Sequence, residues 1–153
     1  MKQKTKEMIG YIINGSSVAL FIYLMSTLDV SDSLRPLRYF GWILLVFGIG
    51  LVVLSIVALV RNQGAGLIER GIYGIVRHPM YLGAMMCFLS YFFFHPHWLI
   101  LLISSANIAI LYCFILQGEQ QNITKFDDAY KRYMETVPRI NLLAGIFRRL
   151  QSK

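Results

Sequence analysis

The chain has 153 residues, of which 56% are hydrophobic and 15% are charged, and its formal net charge is +7. This apolar excess is larger than one soluble core of this size needs, and it also excludes a disordered chain, which requires low hydrophobicity. The two cysteines, Cys87 and Cys113, form no CxxC pair, so the sequence predicts neither a disulfide framework nor a zinc site.

Two uncharged stretches come first along the chain, at residues 8–28 and 39–60. Each is long enough to cross about 30 Å of hydrocarbon at about 1.5 Å per residue. An alternative for the first stretch is a cleaved signal peptide with three lysines as its basic start. The stretch is long for that, and no A-x-A-like site precedes Asp29, which favours an uncleaved helix.

A longer uncharged stretch, residues 78–118, is interrupted at His95-Pro96-His97, where a helix is expected to stop. The interruption predicts a hairpin of two spans at about 80–94 and 98–117. The first limb is short for a full crossing, so it either tilts or begins within the interface. We therefore predict one all-α, membrane-embedded domain over 1–153, with about four transmembrane helices and a cytosolic C-terminal amphipathic helix.

The basic residues indicate the orientation of these spans. With four crossings, thirteen of the fifteen Lys and Arg residues fall on one side of the membrane and two on the other. The positive side is the cytosol. The sequence thus predicts a multi-pass protein of a bacterial inner membrane or an ER membrane, with both termini cytosolic. Nucleic-acid binding is not predicted, because the basic residues flank spans instead of forming a basic domain.

The glycine-rich segment 61–83 places one arginine, one histidine and two tyrosines close together at the start of the third predicted span. Its glycines do not complete a dinucleotide fingerprint, and no strand precedes them, so a Rossmann site is not predicted. One interpretation is a loop whose arginines bind lipid headgroups. The second interpretation is a site for a polar ligand with an anionic group. The close spacing of the four side chains favours this site, which would consist of Arg77, His78, Tyr73 and Tyr81.

The segment 118–140 has apolar residues at alternating steps of three and four, which predicts a helix with one apolar stripe. Glu119 lies on that stripe, four residues before its first member. A carboxylate on the buried side of a helix is costly unless it has a partner. One interpretation is that Glu119 forms an ion pair with Arg77 or Arg70 and only ties the two segments together. The other is that it binds a ligand. Ligand binding is favoured, because ionisable groups at a membrane are usually functional. The stripe consists of Ile123, Phe126, Tyr130, Tyr133 and Val137.

The tail after Asn141 carries an apolar side and basic residues elsewhere. This pattern is typical of a helix that lies on an anionic membrane surface, so we expect residues 141–153 to be an interfacial anchor. The apolar side consists of Leu143, Ile146, Phe147 and Leu150. His95 and His97 have no acidic or thiol neighbours in the sequence, and no metal site is predicted there.

Two motifs lie on either side of the predicted hairpin. They are Gly71-x-Tyr73-x-x-Val76-Arg77-His78-Pro79-Met80-Tyr81-x-Gly83, and then Glu119, Phe126, Tyr130, Tyr133 and Val137-Pro138-Arg139. In order and spacing they resemble the isoprenylcysteine carboxyl methyltransferase family and its phospholipid N-methyltransferase relatives, over roughly residues 39–140. The chain departs from the family pattern at Gly118, where a first glutamate is common, and at Asp127, where a glycine is common.

The resemblance implies a membrane enzyme that uses S-adenosylmethionine on a lipid-tailed or otherwise hydrophobic acceptor. The residues that would bind the cofactor are Arg77, His78, Tyr81 and Glu119, and Arg139 joins Glu119 at the active site. Three acceptor classes stay open: a prenylated cysteine carboxylate, a phosphatidylethanolamine-type amine, and a smaller hydrophobic thiol or acid.

Two rival interpretations belong to other classes. Sterol-reductase-like enzymes that use NADPH carry a similar segment, but Met80 stands here in place of the expected Asn and Ala84 in place of the acid. The other rival is a non-catalytic membrane subunit that keeps the fold without turnover. Binding of S-adenosylhomocysteine or NADPH discriminates between these possibilities.

Overall fold

The computed structural model describes residues 3–29, 31, 34–62, 64 and 66–151. These residues form six α-helices and a short 3-10 helix, Gly71–Gly74, and no strand is present among them. The α-helices are α1 (Gln3–Thr27), α2 (Leu37–Arg61), α3 (Pro79–Phe94), α4 (Trp98–Phe126), α5 (Asp128–Thr136) and α6 (Leu142–Gln151). The all-α prediction is confirmed.

Within the described part of the chain, three helices have the length and apolar composition of membrane spans: α1 over Met8–Thr27, all of α2, and α4. The fourth, α3, is apolar but shorter, as the sequence predicted. Large apolar side chains cover the outside of these helices, among them Trp42 at 57% and Ile43 at 64% exposure. Such surfaces are stable against lipid and not against water. The chain is therefore a multi-pass membrane protein.

Two glycines let α2 and α3 pack closely. A Cβ atom at Gly48 would lie 2.7 Å from the Gly83 carbonyl oxygen, and a Cβ atom at Gly83 would lie 2.5 Å from that of Gly48. Between membrane helices, where lipid is as apolar as the side chains, close backbone approach supplies much of the packing energy. This contact fixes the start of α3 against α2, and with it the position of the polar residues just before α3.

The hairpin of α3 and α4 is present, and its turn is the predicted His95–His97 segment. The His97 ring caps α4 by accepting a hydrogen bond from the Leu99 amide at 3.2 Å, and Ser104 of α4 donates to the Phe88 carbonyl of α3 at 2.9 Å. Helix α1 completes the bundle: the Phe21 ring stacks on that of Tyr91 at 4.3 Å between centroids.

The predicted helix over 118–140 is two helices, which corrects the sequence interpretation. Helix α4 runs on past residue 117 to Phe126, and the chain then breaks at Asp127, which has a φ of 44°. With a ψ of −120°, this is a backbone conformation that glycine adopts readily and other residues rarely. The Asp127 carboxylate accepts a hydrogen bond from Lys131 at 2.8 Å. The apolar stripe survives the break, because α5 still buries Tyr130 and Tyr133.

The tail forms α6 as predicted, with its apolar stripe outward: Leu143 is 76% and Phe147 is 69% exposed. Gly145, on the opposite face, packs against the backbone of Ile75, where a Cβ atom would collide with the carbonyl oxygen. The Arg149 guanidinium donates to the Gly71 carbonyl at 3.0 Å. Helix α6 thus rests on the same loop that carries Arg77 and His78.

Candidate active site

Glu119 is the centre of the polar cluster and is only 4% exposed. Its Oε1 atom lies 3.0 Å from Arg77 Nη1, 3.2 Å from His78 Nε2 and 3.1 Å from Arg139 Nε, and its Oε2 atom lies 2.7 Å from Arg139 Nη2. One buried carboxylate therefore faces two guanidinium groups and one imidazole. It lies roughly 30 Å along α4 from Trp98 at about 1.5 Å per residue, which places it at one edge of the hydrocarbon layer.

A short backbone pairing brings the two sequence motifs together. The amide of Arg77 donates to the Pro138 carbonyl at 3.0 Å, and the amide of His78 donates to the Arg139 carbonyl at 3.1 Å. Pro79 then begins α3, and its missing N–H is no loss at the first helical position. Segments about sixty residues apart are thus held by main-chain bonds, so their side chains converge on Glu119.

Arg77 is buried and incompletely satisfied. Its Nη1 atom is at ion-pair distance from Glu119, but the N–H is not aimed at that oxygen, and Nη1 and Nε both lack a hydrogen-bond partner. The hydroxyl of Tyr130 also interacts with this guanidinium. A buried donor without an acceptor costs free energy. A further acceptor, such as a ligand carboxylate, would satisfy both atoms.

His78 is 8% exposed and lies against Glu119. Burial lowers the pKa of His78, and the hydrogen bond with Glu119 opposes that shift only in part. The imidazole is therefore neutral at neutral pH. The contact with the carboxylate assigns the proton to Nε2, because a carboxylate oxygen only accepts.

Arg139 lies on the solvent side of the cluster, and about a third of its side chain is exposed. The hydrogen bond with Glu119 raises the pKa of Arg139. Its Nη1 atom also donates to the Tyr112 hydroxyl at 2.9 Å. Sequence reasoning missed Tyr112, although it lies two helical turns before Glu119 on α4 and so shares its face.

The two predicted tyrosines have different positions. The Tyr81 ring stands edge-on to the His78 ring, with 6.1 Å between centroids, and so borders the cluster. The structure does not bring the Tyr73 side chain to Glu119: its hydroxyl interacts with Ser55 of α2, and its carbonyl accepts a hydrogen bond from Tyr133 of α5. Burial raises the pKa of Tyr73. Its visible role is to join α2, the loop and α5.

Of the two arginines considered as partners of Glu119, the structure selects Arg77. Arg70 instead lines a cavity of about 620 Å³ between the loop, the end of α5 and α6. Pro138 also lines this cavity, next to Arg139 in the chain. The cavity volume falls within the range of about 300–1,000 Å³ that is usual for ligand pockets. None of Arg77, His78, Glu119 and Arg139 lines this cavity.

A bundle of membrane helices with a buried cluster of ionisable groups at one end of its spans has the features of a membrane enzyme. Residues 15–126, well over half of the chain, match the family model described as phospholipid methyltransferase, and the chain belongs to this family of membrane methyltransferases. No curated protein and no solved structure gives a significant match. The resemblance seen in the sequence motifs is thereby confirmed.

The matched range includes Arg77, His78, Tyr81 and Glu119 and ends before α5. Arg139, the residue that makes the two-point contact with Glu119, therefore lies beyond it. The functional role of each of these residues stays a prediction, and the structure supplies the geometry on which it rests.

Proposed function

We propose that this chain is an S-adenosylmethionine-dependent methyltransferase that acts on a lipophilic acceptor at the cytosolic face of its membrane. The observation that carries the proposal is the buried Arg77 guanidinium, with two unsatisfied donors beside Glu119. An amino-acid carboxylate and ammonium, as in S-adenosylmethionine, fit this donor set, because guanidinium binds carboxylate and carboxylate binds ammonium.

In this proposal Arg77 offers Nε and Nη1 to the ligand carboxylate. Glu119 accepts hydrogen bonds from the ligand ammonium or ribose hydroxyls and keeps its contact with Arg139. Tyr81 borders the same space beside His78.

The sulfonium of S-adenosylmethionine supplies the methyl group, and the transfer is an in-line displacement without a covalent enzyme intermediate. The chain's contribution is positioning and the exclusion of water by the buried cluster. A carboxylate or thiolate acceptor needs no general base. An amine must lose a proton, and the neutral His78 or the Glu119 carboxylate is the nearest group to accept it.

The acceptor is lipid-tailed in the two leading versions of this proposal. The sequence motifs favour an isoprenylcysteine carboxyl methyltransferase-like reaction, and the description of the matched family favours a phosphatidylethanolamine-type amine. In both versions the tail reaches the site from the bilayer, where the exposed apolar faces of the spans lie. A sterol-reductase-like or non-catalytic role has no comparable support in the site.

The site faces the cytosol in this proposal because thirteen of fifteen basic residues lie on its side of the four spans. The exposed apolar stripe of α6 is at the same end, where it suits an interfacial anchor on anionic lipid.

The proposal is tested by supplying the purified protein with methyl-labelled S-adenosylmethionine and total lipid and protein extracts. Label in a lipophilic product supports it, and release of that label by mild base distinguishes an ester from an N-methyl group. Titration with S-adenosylhomocysteine and with NADPH tests the cofactor separately. Binding of NADPH instead, or of neither ligand by folded protein, contradicts the proposal.

The matched variants are Glu119→Gln and Asp128→Asn. The first removes the charge at the centre of the cluster, and the second removes an exposed carboxylate at the start of α5. Loss of transfer in the first but not in the second supports the site. Equal transfer by both variants would assign the reaction elsewhere.

A further inference from the structure

Helix α6 turns its large apolar side chains away from the rest of the protein. Leu143, Phe147 and Leu150 are 76%, 69% and 68% exposed. The buried residue of this ten-residue helix is Gly145, which has no side chain to add to a core. A helix of this length is marginal in water when it stands alone. The stability of α6 therefore depends on what covers its apolar stripe.

The position of α6 places the stripe at the edge of the bilayer. Arg139 contacts Glu119, which lies at one edge of the hydrocarbon layer. Helix α6 begins at Leu142, only three residues after Arg139, and three residues span at most about 11 Å. Helices with one large apolar face lie in the headgroup boundary with that face toward the acyl chains. A lipid surface is therefore the partner that fits the stripe.

The face of α6 opposite the stripe holds the loop that leads to Arg77. The Arg149 guanidinium donates to the Gly71 carbonyl at 3.0 Å. Gly145 lies directly against the Ile75 carbonyl oxygen, so close that any Cβ atom at this position would collide with it. Both contacts reach main-chain atoms, which cannot shift without moving the loop. Helix α6 thus fixes the path of the chain just before Arg77.

The same face of α6 also reaches the end of α5. The Arg148 guanidinium donates to the carbonyls of Glu135 and Thr136, at 3.4 Å and 3.5 Å. The residues that follow α5 are those whose carbonyls accept hydrogen bonds from the Arg77 and His78 amides. Helix α6 therefore touches both partners of the backbone pairing that brings the polar side chains to Glu119.

We propose that the bilayer surface seats α6 through its apolar stripe, and that α6 in turn holds the loop 71–78 and the end of α5 in their paired arrangement. Gly145, Arg148 and Arg149 are positioning residues in this scheme, because they act through the pairing and not on a ligand. The lipid is a binding surface here and not a methyl acceptor. The consequence for cofactor binding rests on the proposed methyltransferase function, whereas the effect on the pairing does not.

Hydrogen exchange at the Arg77 and His78 amides tests the proposal without any cofactor. The full chain is placed in phosphatidylcholine nanodiscs at one copy per disc. The double variant Leu143→Ser/Phe147→Ser makes the stripe polar and leaves the opposite face of α6 unchanged. We expect both amides to exchange about 5-fold faster or more in this variant, because local opening of the pairing becomes easier. The control is Trp98→Ser, which alters a residue 67% exposed at the far end of α4.

A second variant breaks the same link from the other face. Gly145→Ala keeps the stripe, but its methyl group would collide with the Ile75 carbonyl oxygen, so we expect a similar acceleration of exchange. Its control is Gly15→Ala, where a Cβ atom meets no described residue within 4 Å. Unchanged exchange in the stripe variant overturns the proposal. Protection of the wild-type amides only in discs with two copies also overturns it, because the stripe would then bind a second copy of the chain.

Titration with S-adenosylhomocysteine in the same discs measures the consequence for the site. We expect the stripe variant to bind this ligand about 5-fold more weakly, at the low end of typical coupling between two sites. Wild-type affinity in a stripe variant whose exchange is accelerated would contradict the link to the cofactor site. A wild-type protein that binds no S-adenosylhomocysteine would contradict the proposed function instead, and the exchange measurement would still decide whether lipid seats α6.

Discussion

The carboxylate of Glu119 and the guanidinium of Arg139 meet at two points, with Oε2 2.7 Å from Nη2 and Oε1 3.1 Å from Nε. The break at Asp127 and the whole of α5 separate these residues in the chain. The contact exists because α5 folds back after the break and its buried tyrosines hold it against the glycine-rich loop. The polar cluster is therefore assembled by the packing of α5.

Glu119→Gln is expected to weaken S-adenosylhomocysteine binding at least 10-fold and also to lower thermal stability. It leaves buried cations without their common counter-charge, and breaking a buried ion pair from one side typically costs about 3–5 kcal/mol. We expect a cost at the lower end of this range, because solvent can still hydrate the exposed part of the Arg139 side chain. Calorimetric titration and thermal unfolding in detergent measure both effects. A variant with wild-type values in both would remove Glu119 from the site.

Arg77→Lys is expected to weaken S-adenosylhomocysteine binding about 10-fold, although it keeps the positive charge. A lysine ammonium cannot present two fixed donors to a carboxylate, so the substitution is not conservative at such a site. Arg61→Lys, at the exposed end of α2, is the control. If the two substitutions changed the affinity equally, the paired N–H donors of the Arg77 guanidinium would not bind the ligand.

Gly48→Ala should destabilise the bundle by about 1–3 kcal/mol, the usual cost of overpacking. The new methyl group would lie 2.7 Å from a backbone oxygen of α3, which cannot move without shifting the helix. Gly50→Ala, two residues further along, meets no atom within 4 Å and should be neutral or slightly stabilising. Chemical or thermal unfolding of the two variants in the same detergent gives the comparison. Similar losses in both would argue against the close contact of α2 and α3.

The stability of the wild-type protein should fall as the pH decreases below about 6.5. Burial holds the pKa of His78 below its ordinary value in the folded protein, so between the two values the unfolded chain binds more protons. The free energy of unfolding then decreases toward low pH, by at most about 1.4 kcal/mol per pH unit for one proton. His78→Asn should flatten this dependence, whereas His97→Asn, which keeps a capping side chain on α4, should not. Unfolding temperatures between pH 7.5 and 5.5 provide the test.

The proposed orientation predicts where an impermeant thiol reagent reaches the chain. In a variant without Cys87 and Cys113, a cysteine in place of Gln151 should be labelled in inside-out vesicles and protected in right-side-out vesicles. A cysteine in place of Arg35, in the connection between α1 and α2, should show the reverse. Labelling of both from the same side would contradict the four-span arrangement.

Much of the architecture could be read from local sequence. The uncharged stretches and the His95-Pro96-His97 interruption predicted α2 and the hairpin, because hydropathy and proline act over a few residues. The alternating steps of three and four predicted which residues of α5 are buried, even though the helix break at Asp127 was missed. That break depends on a backbone conformation that glycine favours and aspartate rarely adopts, so the residue type at position 127 did not predict it.

The partners inside the site depended on the fold. The sequence alone showed that Glu119 lies on an apolar stripe and therefore needs a cationic partner. It also showed that Arg77 and His78 lie at the start of a span. Both conclusions depend only on neighbouring residues in the sequence. Only the tertiary structure decided that Arg77, and not Arg70, forms the ion pair with Glu119. It also showed that the Tyr112 hydroxyl contacts the cluster by accepting a hydrogen bond from Arg139. The Tyr73 hydroxyl interacts with Ser55 instead of with the cluster. These choices follow from how α2, α3 and α5 pack, which depends on contacts between residues far apart in the chain.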